Sequence, residues 1–178
     1  MQTLANGTKL VGHVPHVAPE AWLHVVFPAL SEPELVSLKT SLGGPLPEDY
    51  RNFLRQMNGI RLFSGALTID GLRKSYERTG EAVWQPFDVV DLNTLERPQG
   101  AKPTDFFIGG YDWDGSVLCV DTGSGETWRR DRDGFPSLNR WPSLFHMLAD
   151  ETERLAGHFD AEGKEINPSI PTTPPSDA

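Results

Sequence analysis

The chain has 178 residues and a formal net charge of −9, a length that suits one domain with a core of its own. That acidity opposes binding to nucleic acid and to anionic membranes; it could attract a basic protein, or simply keep the chain in solution. The single cysteine, Cys119, excludes an internal disulfide framework and a Cys-rich zinc site. Within Ser116-Val-Leu-Cys-Val120 it reads as a buried structural thiol rather than a nucleophile. No apolar run is long enough to span a bilayer, and the N-terminus has no basic region followed by an apolar stretch, so the expected compartment is the cytoplasm.

Residues 1–17 show little periodicity and are expected to be a loose leader or an edge segment. From Ala18 to Leu30 the chain carries Trp22, Val25 and Val26, with Pro19 placed to start a helix and Pro28 to stop it. Ser31-Glu-Pro-Glu34 is a capping box. The helix it opens has the stripe Leu35, Leu38, Leu42 and ends at Gly43-Gly44. The next helix starts after Pro47, with Glu48 and Asp49 at its positive end. Its stripe is Tyr50, Phe53, Leu54 and Met57, and Asn58-Gly59 supplies a left-handed stop. The N-terminal third is therefore expected to be helical.

The middle of the chain reads differently. Ala66–Ile69 is strand-like and closes at Asp70-Gly71; residues 72–80 suggest a short polar helix; Pro86–Leu92 suggests a short strand or a loop leading into a helix. Residues 105–130 form the clearest β region. Asp114-Gly115 and Gly123-Ser-Gly125 are turn signals between apolar runs, which predicts an antiparallel meander. Trp141-Pro-Ser then opens a C-terminal helix with the stripe Leu144, Met147, Leu148, Leu155. Beyond Phe159 the chain turns to Gly, Pro, Ser, Thr and Asp, and residues 160–178 are expected to be a disordered tail.

Three segments carry a family resemblance: Leu46-Pro47 through Asn58-Gly59; Phe107-Ile-Gly-Gly-Tyr-Asp-Trp-Asp-Gly115 with the apolar strand after it; and Trp141-Pro-Ser-Leu-Phe145. On these the chain resembles the SUKH superfamily, which contains fungal cell-wall-synthesis regulators and bacterial immunity proteins against polymorphic toxins. The resemblance implies an α+β fold over residues 18–159, with N-terminal helices, a central antiparallel sheet and a C-terminal helix. It also implies a non-enzymatic role, with no catalytic residue and no cofactor to carry over.

Candidate sites follow from residue chemistry. Asp112-x-Asp114-Gly115 starts like a calcium loop, but its sixth and twelfth positions are Val117 and Gly123, where such a loop needs Gly and Glu, so a hairpin turn is the reading adopted. His13 and His16 have no third ligand nearby, so no metal site is expected. From Asp105 to Trp128 there are five carboxylates, Asp105, Asp112, Asp114, Asp121 and Glu126, and no Lys or Arg. Tyr111, Trp113 and Trp128 are interleaved with them. Carboxylates beside aromatics on a rigid meander suit a protein-binding face, although polar turns over core aromatics would read the same way.

The expectation is a cytoplasmic protein-binding domain, an immunity protein that occludes a toxin, with a basic nuclease toxin suiting the charge. A regulatory or scaffolding module with another partner is the alternative. A small hydrolase using a carboxylate pair is the reading from a different class.

Overall fold

A computed structural model describes residues 1–133 and 136–177. The described residues form nine strands and four α-helices, an α+β fold. The strands are β1 (Gln2–Thr3), β2 (Lys9–His13), β3 (Trp22–Pro28), β4 (Met57–Leu62), β5 (Leu67–Ile69), β6 (Asp105–Tyr111), β7 (Val117–Asp121), β8 (Thr127–Arg130) and β9 (Ser137–Trp141). They lie in one sheet in sequence order, each antiparallel to the next. The helices are α1 (Glu32–Leu42), α2 (Glu48–Leu54), α3 (Val89–Asn93) and α4 (Leu144–Ala156).

The main core lies on one face of the sheet. Leu35 and Leu38 of α1, Phe53 and Leu54 of α2, and Leu144, Met147 and Leu155 of α4 pack on Ile60, Leu67, Ile69, Leu118 and Val120. A wholly buried leucine or phenylalanine contributes about 1.5–3 kcal/mol over an exposed one, which makes this layer the main source of stability. The α1 capping box is present: the Glu34 carboxylate accepts from the Ser31 amide and hydroxyl, both at 2.7 Å. A smaller cluster on the sheet, Leu10, Val25 and Phe27, is covered by Trp22 and Trp84.

Several elements depart from expectation. Residues 22–28 are a strand, because β2 and β4 flank them and take up their backbone groups on both sides. The alternation of buried Val25 and Phe27 is the strand period that the flanking prolines obscured. Helix α2 stops at Leu54 because the chain from Met57 onward joins the sheet. Asn58-Gly59 is therefore inside β4 rather than a helix stop. The Asn58 side chain bridges the Leu72 amide (2.7 Å) and carbonyl (2.8 Å), doing a strand's work for the chain leaving β5. Residues 72–79 form no helix.

Residues 1–17 are an edge segment: they supply β1 and β2, with β1 paired to β2 and β2 to β3. The supposed tail is docked: Thr172, Thr173 and Pro174 are buried, and Asp177 donates its amide to Leu138 O at 2.7 Å. What holds it is a set of side chains that composition could not reveal. Arg129 donates to Pro174 O (2.6 Å), Arg154 to Thr172 O (2.5 Å) and Asn139 to Pro175 O (2.7 Å). Residue 178 lies outside the described residues. No helix among the described residues is long and apolar enough to cross a membrane.

Candidate functional site

A groove of about 720 Å³ lies across β4–β7, with α3 at its edge. Gly109 and Gly110 of β6 form part of its lining. Gly109 has φ +147°, in a bulge where Leu118 of β7 is its partner. A Cβ at Gly109 would strike the Thr68 carbonyl, and one at Gly110 the Ser116 carbonyl. The Ile-Gly-Gly-Tyr run is thus a packing requirement as well as a groove floor. Helix α3 is tied to the bulge by Asn93, whose side chain bridges the Phe107 amide (2.9 Å) and carbonyl (2.7 Å).

One wall is the segment between β5 and α3, which brings Arg73, Tyr76 and Phe87 to the groove. It is pinned at three places. Lys74 pairs with Glu34 at 2.5 Å, and that ammonium together with the Ser31 hydrogen bonds holds the Glu34 carboxyl down at about 2. Glu81 accepts from the Ala5 and Asn6 amides at 3.1 and 3.0 Å, which ties the wall to the β1–β2 turn. Arg61 reaches under it from β4, with its guanidinium 4.7 Å from the Phe87 ring centre and donating to Gln85 O at 2.9 Å.

The groove is acidic. Asp70, Asp88, Asp91, Glu96 and Asp112 line it, against Arg61 and Arg73. Asp88 caps α3 by accepting from the Val90 amide at 2.9 Å. The Tyr76 hydroxyl shares its one proton between Asp88 (2.7 Å) and Asp91 (3.0 Å), and these carboxylates push that phenol far above its usual range. Asp70 is 6% exposed, and burial pushes its carboxyl up to about 7. Among the described residues no His, Cys, Asp and Glu side chains gather in a set able to hold a metal ion.

The residues singled out between 105 and 128 do not form one face. Asp105 is 2% exposed and paired with Arg130 at 2.7 Å, so it is a structural ion-pair member rather than a contact residue. Tyr111 is 3% exposed and donates to Glu151 of α4 at 2.8 Å, beneath the sheet. Asp114 accepts from Arg129 (2.5 Å) and from the Ser116 amide (2.9 Å), which hold its carboxyl below the usual range. Asp121 binds the Thr104 hydroxyl and two turn amides, Gly123 and Ser124. Glu126 pairs with Arg140 at 3.1 Å, and half-buried Trp128 has Arg130 and Arg140 over its ring. The negative run is thus largely neutralised in space by arginines from β8 and β9. Two of the eight stand free on the β6–β7 turn: Asp112, on the groove's rim, and Trp113, 47% exposed.

The groove residues that were missed, Asp70, Asp88, Asp91 and Glu96, are scattered along a segment read as turns and connector. Only the fold gathers them. Cys119 is buried, as read, and its thiol is pushed up to about 12 by desolvation, so it carries no thiolate near neutral pH.

Residues 29–161 match the SMI1 / KNR4 family (SUKH-1). The chain belongs to this family. The match covers all four helices and strands β4–β9, and so includes the groove. Strands β1–β3 and the docked end of this SUKH protein lie outside it. Among curated proteins nothing matches the chain.

Proposed function

We propose that this SUKH protein is a non-enzymatic binding domain that neutralises a toxin by covering it, and that the partner docks over the acidic groove and the β6–β7 turn. The observation that carries this is Trp113, exposed beside the free Asp112 at the groove's rim. A large aromatic held at a tight turn loses little entropy on contact and is the residue type that dominates binding hot spots. The carboxylates around it would steer a basic partner and set the association rate. Membership in a family that includes toxin-immunity proteins supports the same reading.

A hydrolase would need two carboxyls acting across a cleft. Asp88 is committed to the α3 cap and, with Asp91, to Tyr76. This favours binding over catalysis.

The test is to search the genes adjacent to this one for a toxin-like domain and to express that domain with and without this protein. Survival should depend on co-expression, and the purified pair should co-elute. Trp113→Ala should weaken the complex about 30-fold or more, as loss of a hot-spot aromatic does, with the fold intact. Asp112→Asn should slow association at low salt, with the difference narrowing at high salt. Full neutralisation by the Trp113→Ala and Asp112→Asn variants would place the contact on another face.

A further inference from the structure

Asp70 has no structural partner for its side chain. Its backbone is fully used: the amide donates to Ile108 O at 2.7 Å and the carbonyl accepts from the Tyr50 hydroxyl at 2.8 Å. Its carboxylate accepts no hydrogen bond from any described residue, and Oδ1 is sealed from water. The residue nevertheless lines the groove. Arg61 shares its face of the sheet, since Arg61 is opposite Thr68 in the β4–β5 register. The Arg61 guanidinium is occupied elsewhere, over Phe87 and toward Gln85 O, and its Nε also lacks an acceptor. A buried carboxylate without donors is costly to a fold, and a ligand that supplies the donors removes that cost.

We propose that the groove is a binding site for a cationic side chain, arginine or lysine, of the partner protein, with Asp70 as the acceptor at its inner end. This rests on the binding-domain reading above and narrows it to one chemistry. Three observations choose a cation carried on a chain. The groove holds five carboxylates against two guanidiniums, and both guanidiniums lie on aromatic rings, Arg61 on Phe87 and Arg73 on Tyr76. No metal-ligand set exists among the described residues. Gly109 and Gly110 put bare backbone into the groove's lining, against which a long aliphatic stem can lie. A guanidinium, planar and always charged, suits the carboxylate best.

The charged and titratable groups facing Asp70 are Arg61 from β4, Asp88 at the start of α3, Glu96 after it, Arg73 from the wall and Tyr50 from α2. Burial holds the free carboxyl near 7. An arriving cation therefore binds the ionised form and sends the Asp70 proton to solvent. The ionised fraction rises about tenfold from pH 6 to pH 8, and apparent affinity should rise with it.

The experiment is an amide NMR titration of the full chain with acetyl-Gly-Arg-Gly-amide, and with the same peptide carrying citrulline, which has the shape without the charge. The arginine peptide should give saturable shifts at Ile69, Asp70, Gly109 and Gly110, with about tenfold tighter binding at pH 8 than at pH 6. Citrulline should give none. Asp70→Asn should abolish the response while the rest of the spectrum is kept. Thr68→Arg, which brings an arginine of the chain's own to the groove, should abolish it too. Shifts equal for citrulline, absent at these amides, or undiminished in Asp70→Asn would overturn the proposal. If Asp70→Asn neutralises the partner undiminished while Trp113→Ala fails, the cation site falls and the binding reading stands. If the peptide saturates the groove but no toxin is neutralised, the cation site stands and the immunity reading falls.

Discussion

Asp70→Asn should make the protein more stable at neutral pH and less stable in acid. Burial shifts the folded carboxyl from 3.8 to about 7, with Arg61 opposing the shift. Between those values the folded state holds a proton that the unfolded state has released. Stability therefore falls as pH rises through that window and stays reduced above it. At about 1.36 kcal/mol per pH unit the full cost of ionised Asp70 is about 4 kcal/mol. Asparagine removes that cost but leaves an unpartnered amide, worth about 1–2 kcal/mol in the other direction. The expected gain is about 2–3 kcal/mol at pH 8, crossing zero near pH 5 and becoming a loss of about 1 kcal/mol at pH 4. Urea unfolding of both proteins at pH 4, 5, 6, 7 and 8, extrapolated linearly to water, measures this directly. A stability difference that does not change with pH would show that the folded carboxyl titrates at its ordinary value. A variant less stable at pH 8 would show that the charge is stabilising as it stands. Either result refutes the picture of an unpartnered buried carboxyl.

Truncation after Ile170 should lower the melting temperature, because it removes the carbonyls that Arg129 and Arg154 reach. Charge-assisted bonds of about 1.5–3 kcal/mol each, offset by the tail's ordering entropy, leave a net loss of about 2 kcal/mol, or roughly 4–8 °C. A melting temperature unchanged within about a degree would mean that the docked end contributes nothing. Asp105→Ala should cost about 3–5 kcal/mol in urea unfolding, since it strands the buried Arg130 guanidinium; a cost below about 1 kcal/mol would show that water reaches the site. Gly109→Ala should destabilise by at least about 2 kcal/mol, because it combines a positive φ with a clash against the Thr68 carbonyl. Calorimetry showing no change would mean that the bulge relaxes freely.

Much of the architecture was legible where local chemistry and tertiary demand agree. The capping box at Ser31, the stripe of α4 and the Asp114-Gly115 turn all mark their elements correctly. The misreadings have one cause. Residues 22–28 and 57–62 are strands because neighbours on both sides pair with them, and that demand overrode the proline brackets and the α2 stripe. The tail was misread for the same reason. Its composition buries little by itself, yet the charged donors of Arg129 and Arg154 hold its carbonyls.

The candidate site was the least legible feature, and the reason is geometric. Charge density along a chain becomes charge density on a surface only if the fold keeps the segment together. An antiparallel meander does the reverse, setting each strand against the next. Asp114 meets Arg129, Asp105 meets Arg130 and Glu126 meets Arg140, so three carboxylates of the acidic run are cancelled by the arginines that follow it. The surviving negative potential collects where the meander is interrupted, at the crossing from β5 to β6. There the wall segment and α3 deliver Asp88, Asp91 and Glu96 beside Asp70, over a floor that includes Gly109 and Gly110 of β6. The wall itself is clamped through Glu81 to the turn between β1 and β2, strands that lie outside the family match. The groove's floor, its α3 edge and the wall itself thus lie within residues 29–161, while one of the wall's three anchors, the turn between β1 and β2, lies outside them.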